Sequence, residues 1–555
     1  MPFTPSLVHD LFWPGLQLAL GISIPVGIIL GASIRWNLVW ATPLCFLVAW
    51  LLTVAALLRL ETTSITIAGL LEVIIAFALI GVASRLMSMA KKQPSPHVHG
   101  TAHWGIAEET TTEGFLLGKQ SYSIKKDPVS IYYDGHVITC APTGAGKGIG
   151  AVVPNLLQYP GSSVVIDIKG ENYAVTAAQR KNLDHTVILF DPFAVVTNAP
   201  TQCYNWLGAL NPEDECLVRQ SKALADSMIL NEQGADHWND SASGLLQGII
   251  VYVKCSQSIS PEDKHMGEVY RLLTQAPAAF NKTLTAMSKD TKLGYGIPSV
   301  KANGFLAKES KERAGVLSTL LRHIDFLGDP QIVRNLSKTD EDITKFKKHR
   351  MSIYLVLPPG QLASYNRYLR GILGILLNTI TEDASPPKHK IAFFLDEFAQ
   401  LGKFEAFEQA LPLLRGYGVA FWFFIQDISQ LKAVYPKWQG FFGNCAQQYF
   451  GTQDIDTAKY ISQSMGTYTE TINHTSKSRR DGKTSRNYST QLLQRNLMNP
   501  DEILRLKREQ LILFLPNQEP FLADRLNYRN DAAYAGLFKD NPYHASRASH
   551  DEASV

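Results

Sequence analysis

The run His136-Val137-Ile138-Thr139-Cys140-Ala141-Pro142-Thr143-Gly144-Ala145-Gly146-Lys147-Gly148-Ile149-Gly150 passes from a β-rich stretch through a glycine turn straight into a lysine and a helix-compatible segment. That succession of strand, tight turn and helix confines the chain to a narrow set of α/β folds. Glycines let backbone N–H groups close around the β- and γ-phosphates of a nucleotide. The following helix adds its positive N-terminal end, and Lys147 can reach the β/γ oxygens. Thr143, Gly144, Ala145, Gly146, Lys147 and Gly148 are therefore the expected phosphate cradle. The usual pattern opens with Gly and closes with Ser or Thr, whereas this chain has Ala141 and Gly148. Without that hydroxyl, water or another oxygen must fill its place around Mg²⁺. The plain alternative is an ordinary glycine-rich strand-to-helix turn.

The second half of such a site stands far downstream, where the apolar run Ile391-Ala392-Phe393-Phe394-Leu395 ends in Asp396-Glu397. This is the pattern of a buried parallel strand delivering carboxylates to its C-terminal edge. In triphosphatases of this kind the first acid helps hold the Mg²⁺ shell and the second polarises the attacking water. A third strand, Ala420-Phe421-Trp422-Phe423-Phe424-Ile425, ends in Gln426, and Arg415 lies in the turn Arg415-Gly416-Tyr417-Gly418 before it. Gln426 is then placed to sense the γ-phosphate and Arg415 to reach a phosphate across a subunit boundary. A polar strand terminus and a surface cation are the plain readings of these two.

These segments resemble the coupling proteins of bacterial type IV secretion and conjugation systems, the TraG-like ATPases. The likeness runs from about residue 100 to about 530. It is carried by the phosphate loop, Asp167-Ile168-Lys169-Gly170-Glu171, Leu395-Asp396-Glu397-Phe398, Arg415-Gly416-Tyr417-Gly418-Val419, Gln426-Asp427 and Asp456-Thr457-Ala458-Lys459-Tyr460-Ile461-Ser462. The Gly-Lys-Gly ending is similar to the one this branch uses. The resemblance implies an α/β, RecA-like P-loop nucleotide-binding domain with an inserted all-α domain associated with substrate, preceded by transmembrane helices. It also implies ATP and Mg²⁺ as cofactors, a homo-hexamer, and a site in which Lys147 binds phosphates, Asp396 the metal, and Glu397 the water. Arg415 would be the finger and Gln426 the sensor. The implied partners are type IV secretion channel components, a relaxosome or secreted effector proteins, and single-stranded DNA.

The implied division is 1–92 for the membrane region, 93–210 and 329–535 for the two parts of the nucleotide-binding domain, 211–328 for the all-α domain, and 536–555 for a disordered tail. The first ninety residues support the membrane region. Segments 11–34, 38–58 and 65–83 each approach the roughly 20 apolar residues that cross a bilayer. A cleavable signal is disfavoured, because no Lys or Arg precedes Leu11 and the first apolar run is followed by more. With three spans Arg35, Arg85, Lys91 and Lys92 fall inside and Arg59 outside, which satisfies the positive-inside bias. Glu72 interrupts the third span, so two spans with the N-terminus inside remain an alternative. Either arrangement places a multi-pass protein in the bacterial inner membrane with its ATPase domain in the cytoplasm. Six cysteines without metal-site spacing fit a reducing compartment.

Pro94-Ser95-Pro96 reads as a linker, and His97, His99 and His103 after it lack a carboxylate or Cys to complete a metal set. Strands are expected at 163–168, 186–190 and 352–357, and Pro154 should kink the helix after the phosphate loop. Asp167 is either a capping acid or a group behind the metal's ligands. Between 211 and 326 the spacing turns helical, and Leu245, Leu246, Ile249, Ile250 and Val253 form a core stripe. Lys477, Arg479, Arg480, Lys483 and Arg486 mark a basic polar loop that either contacts phosphates or is a solvated excursion. The chain's net charge of +3 does not by itself indicate nucleic-acid binding. The expected function is an inner-membrane ATPase coupling substrate to a secretion channel. A largely non-catalytic docking receptor and an FtsK-like duplex DNA translocase are the alternatives.

Overall fold

The computed structural model describes residues 98–108, 112–121, 127–230, 236–480 and 483–543. Those from His99 onward make one compact unit. The three candidate spans, Glu72 and His97 lie outside the described residues, and among the described residues no helix is long and apolar enough to cross a membrane.

The chain's short apolar runs become strands: β1 Phe115–Gln120, β2 Val129–Tyr133, β3 His136–Cys140, β4 Ser163–Ile166, β5 Thr186–Phe190, β6 Met351–Leu355, β7 Ile391–Leu395, β8 Val419–Ile425 and β9 Cys445–Tyr449. Four more follow: β10 Thr467–Arg480, β11 Lys483–Asn496, β12 Gln510–Phe514 and β13 Phe521–Asp524. Eleven of them form one sheet in the order β2-β1-β13-β12-β9-β3-β8-β7-β4-β6-β5. From β9 to β5 every neighbouring pair is parallel, and β12, β13, β1 and β2 extend it antiparallel. A sheet covered on both faces needs strands apolar on both, and β6, β7 and β8 are buried at every position. Alternate residues feed two cores: Ile138, Phe393, Phe421 and Phe423 on one side, Val137, Phe394, Trp422 and Phe424 on the other.

Parallel pairing has one consequence for function. The C-terminal ends of β3, β8, β7 and β4 share one edge of the sheet, so the residues that follow them are neighbours. Cys140 pairs with Ile425, Leu395 with Phe423 and Ile166 with Leu395. The strand ending in Gln426 thus lies between the phosphate-loop strand and the strand ending in Asp396-Glu397. The start of β3 is fixed by His136, whose Nδ1 accepts the Phe421 N–H at 3.1 Å while Nε2 donates to the Leu411 carbonyl at 3.1 Å. Burial pulls this imidazole down to about 4, so it is neutral and both nitrogens are satisfied.

Between β5 and β6 the chain is helical: Leu217–Met228, Asp236–Cys255, Met266–Leu273, Pro277–Lys289, Ile297–Leu306, Ser310–Ile324 and Pro330–Asn335. The stripe Leu245, Leu246, Ile249, Ile250 and Val253 is buried, in a core continuous with one face of the sheet. Arg370, in the helix Leu362–Glu382, ties these helices to the segment after the acid pair. It is buried, donates to the carbonyls of Ser227 at 2.7 Å, Leu401 at 3.2 Å and Lys403 at 2.8 Å, and lies 4.4 Å from the centre of the Phe404 ring.

Two segments read as irregular are ordered here. The basic polar stretch belongs to an antiparallel ribbon, β10 with β11, paired from Thr467↔Asn496 to Arg480↔Lys483. Its outer half has no apolar face, so the alternation that marks a strand in sequence is missing. The expected tail from 536 is docked as far as it is described. The Lys539 N–H donates to the Val175 carbonyl at 3.0 Å, Asn541 Nδ2 to Glu171 Oε2 at 3.0 Å, and the Tyr543 hydroxyl to the Val195 carbonyl at 3.1 Å.

Candidate functional site

The phosphate loop leaves β3 at Ala141 and takes the conformation its glycines allow. Gly144 and Gly146 have φ of +77° and +89°, where an L side chain is strained. A Cβ at either position would meet nothing within 4 Å. The Ala145 N–H closes on the Pro142 carbonyl at 3.0 Å and the Gly150 N–H on that of Gly146 at 2.8 Å. Gly148–Val152 is one wide turn in which the Val153 N–H reaches back to the Gly148 carbonyl. The helix Val153–Gln158 follows, with Pro154 in its first turn, where no intrahelical N–H is needed. Pro154 stands where the winding changes from the wide turn to the α-helix.

Lys147 meets both acids. Its Nζ lies 3.1 Å from Asp396 Oδ1 and 2.9 Å from Glu397 Oε1. Consecutive strand residues face opposite ways, so two adjacent acids cannot normally share one partner. Here the chain turns at Glu397, whose φ of 49° and ψ of 42° are left-handed, and Asp396 Oδ1 accepts its N–H at 3.0 Å. That turn, strained for a non-glycine residue, brings the second carboxylate beside the first. Gln426 Nε2 donates to Glu397 Oε2 at 3.1 Å and Oε1 at 3.3 Å, and Gln400 Nε2 adds a bond to Oε2 at 3.1 Å. Burial pulls the Lys147 ammonium down, but Asp396 and Glu397 outweigh it and hold the group above the ordinary lysine value. Burial also lifts the Asp396 carboxyl, against the pull of Lys147.

Asp167, at the end of β4, is drawn into a capping role. Its Oδ2 accepts the Tyr173 N–H at 2.8 Å and its Oδ1 takes Asn172 Nδ2 at 3.3 Å. Burial raises this carboxyl to about 7. The bond to Asn172 leaves Asn172 Oδ1 3.7 Å from where a side chain at Gly148 would begin. An oxygen thus stands beside the position that lacks the usual hydroxyl.

Arg415 is not brought to the site. It opens a short turn, Arg415–Tyr417, before β8, and its Nη2 donates to the Asp134 carbonyl at 3.3 Å, just before β3. It therefore stands at the opposite edge of the sheet from Lys147 and Gln426.

Arg525, which no motif marks, does reach the loop. Its Nη1 donates to the Ala145 carbonyl at 2.8 Å, Nε to the Gln510 carbonyl at 2.7 Å and Nη2 to that of Phe450, and the guanidinium lies 4.4 Å from the centre of the Phe450 ring. In a trans peptide the carbonyl and the next N–H point in opposite directions. Holding the Ala145 carbonyl therefore fixes the Gly146 N–H on the opposite side of that peptide. Arg525→Ala should weaken ATP binding about ten- to a hundredfold, the loss of one charge-assisted hydrogen bond, and Arg525→Lys should recover part of it. Titration with a fluorescent ATP analogue beside a thermal melt checks this. A lower melting temperature with unchanged affinity would make Arg525 a structural brace alone.

The family described as type IV secretory system conjugative DNA transfer matches residues 101–550. The conjugal transfer protein TraG of Escherichia coli is 28% identical over 486 residues, covering 78% of this chain and 75% of that protein. Protein VirD4 of Rhizobium radiobacter is 28% identical over 506 residues, covering 84% and 69%. Among solved structures, the unbound bacterial conjugative coupling protein TrwBdeltaN70 aligns with a TM-score of 0.57 at 15% identity over 76% of this chain and 91% of that one. TrwB in complex with ADP and Mg²⁺ aligns at 0.55 and 17%, over 75% and 89%.

Proposed function

Because the chain belongs to the type IV secretory system conjugative DNA transfer family, we propose that it is the ATPase that couples substrate to a type IV secretion channel. The observation that carries this reading is the convergence of Lys147, Asp396, Glu397 and Gln426 at one sheet edge beside an open phosphate loop. Lys147 spends its ammonium on two carboxylates here. The β- and γ-oxygens of ATP would take their place and release Glu397 to accept a proton from the attacking water. Gln426 holds the Glu397 carboxylate in line and registers whether the γ-phosphate is present.

A site whose acids converge on a cation through oxygen alone fits a hard divalent ion. Asp396 would hold Mg²⁺, with Asn172 Oδ1 available to a water of its shell in place of the missing hydroxyl. Mg²⁺ supplies charge neutralisation between the β- and γ-phosphates when bound. Arg415, remote within its own subunit, would act on a neighbour's site in a ring, which we take as a homo-hexamer. The helices between β5 and β6 would be the substrate-facing domain, and segments 11–34, 38–58 and 65–83 the inner-membrane anchor that leaves the ATPase in the cytoplasm.

Deleting the chain from its cell, with the channel components left in place, should abolish delivery of DNA and protein through that channel. Restoration by the intact chain and not by Lys147→Ala would support the reading. Delivery that persists without the chain would contradict it.

A further inference from the structure

The left-handed turn at Glu397 must be held from both sides, because a non-glycine residue keeps such a conformation only where its surroundings fix it. On one side stands β7. On the other, Glu397 opens a short helical turn, Phe398–Leu401, and its carbonyl accepts the Gln400 N–H at 2.8 Å. The stretch that follows is anchored by Asn366, Tyr435 and Arg370. Asn366 Nδ2 donates to the Gln400 carbonyl at 3.2 Å. The Tyr435 hydroxyl donates to the Gly402 carbonyl at 3.3 Å and accepts the Phe404 N–H at 3.1 Å. Arg370, one helical turn beyond Asn366, takes the carbonyls of Leu401 and Lys403.

Arg370 differs from the other two in what else it holds. Its Nε donates to the Ser227 carbonyl at 2.7 Å and its Nη2 to that of Ile229 at 3.4 Å, at the end of the helix Leu217–Met228. The last carbonyls of a helix have no partner within it and favour a cation. One buried guanidinium therefore joins two stretches of backbone far apart in sequence. The next residue, Leu230, reaches the same stretch: its Cδ2 lies 3.3 Å from where a side chain at Gly402 would begin. Leu230 is fixed in turn by His323 and Asn239. Its N–H donates to His323 Nδ1 at 3.5 Å, its carbonyl accepts from Asn239 Nδ2 at 3.2 Å, and His323 Nε2 donates to Asn239 Oδ1 at 3.2 Å. Burial holds His323 down at about 4, so the ring is neutral and its Nδ1 can accept.

We propose that Arg370 is a positioning residue for hydrolysis: by clamping residues 401–403 to the end of the helix Leu217–Met228, it keeps the Glu397 carboxylate where it can take a proton from the attacking water. This rests on the role proposed for Glu397 above. Loss of the clamp leaves Lys147 and the phosphate loop in place, so binding and turnover should separate.

The test uses the full chain in detergent, with an ATP-binding isotherm, steady-state turnover and a thermal melt for each variant. Arg370→Lys keeps the charge but not the planar fork that spans both stretches. It should bind ATP as the intact chain does and lower kcat about ten- to a hundredfold, the effect of misplacing a reacting group by about 1 Å. Leu230→Ala leaves the guanidinium untouched and should lower kcat by less, at unchanged affinity; it carries the test if Arg370→Lys fails to fold. The diagnostic comparison is made in the Glu397→Gln chain, which has no base left to misplace. There Arg370→Lys and Leu230→Ala should cost nothing further, whereas a change that merely loosens the fold would lower the residual turnover by the same factor as before. Turnover at the intact rate in Leu230→Ala and in any folded Arg370→Lys chain would overturn the proposal. So would losses that multiply in the Glu397→Gln background, or a lowered kcat matched by an equal loss of affinity. Glu397→Gln turning over at the intact rate would instead contradict the role of Glu397 itself, and this proposal with it.

Discussion

An Arg415→Ala chain is expected to bind ATP as the intact chain does and to hydrolyse it roughly a thousandfold or more slowly, the effect of losing a supplied arginine finger. Within one subunit such a loss has no explanation. Arg415 donates to the Asp134 carbonyl ahead of β3, and seven residues of β8 separate its turn from Gln426. At ~3.3 Å per residue that is about 20 Å, farther than an arginine side chain extends. Such a loss would place Arg415 at a neighbour's site. Mixing two inactive chains distinguishes the cases: a Glu397→Gln subunit keeps its Arg415, an Arg415→Ala subunit keeps its Glu397, and some shared interfaces hold both. Activity above the sum of the separate chains places Arg415 in trans. Confirmed mixed rings with no such gain would make Arg415 a surface cation.

The cluster of Lys147, Asp396, Glu397 and Gln426 was legible because each part is carried by a short stretch of sequence. Glycines at left-handed positions before a lysine at a helix start are one short signal and acids closing an apolar strand are another, although 250 residues separate Lys147 from Glu397. The central parallel strands were legible for a related reason, since burial on both faces leaves unbroken apolar runs such as Val419–Ile425. What escaped notice depends on distant parts of the chain meeting. Arg525 touches Ala145 across 380 residues, and only the return of β13 beside the loop brings it there. β9, Cys445–Tyr449, hides its strand character in two glutamines. Gln448 is nonetheless buried, accepting from Thr139 Oγ1 and donating to the Leu117 carbonyl, each at 2.7 Å. The ribbon carried a turn signal, Asp481-Gly482, between polar flanks. With no hydrophobic alternation around it, that signal had nothing to support it.

The second large effect lies at Glu397. Glutamine fills the same space and can still bond to Lys147 and Gln426, but it cannot take a proton from water. Glu397→Gln should therefore lower ATP turnover roughly a hundred- to ten-thousandfold, the usual contribution of a general base. Nucleotide binding should persist, because the phosphate contacts of Lys147 and of the loop are untouched and one negative charge near the γ-phosphate is removed. The most direct measurement pairs an ATP-binding isotherm with a steady-state turnover assay on the purified oligomer, for the intact chain and for Glu397→Gln. Binding preserved with turnover lost is the result predicted for a hydrolytic site built from these strand ends; turnover at the intact chain's rate would contradict it.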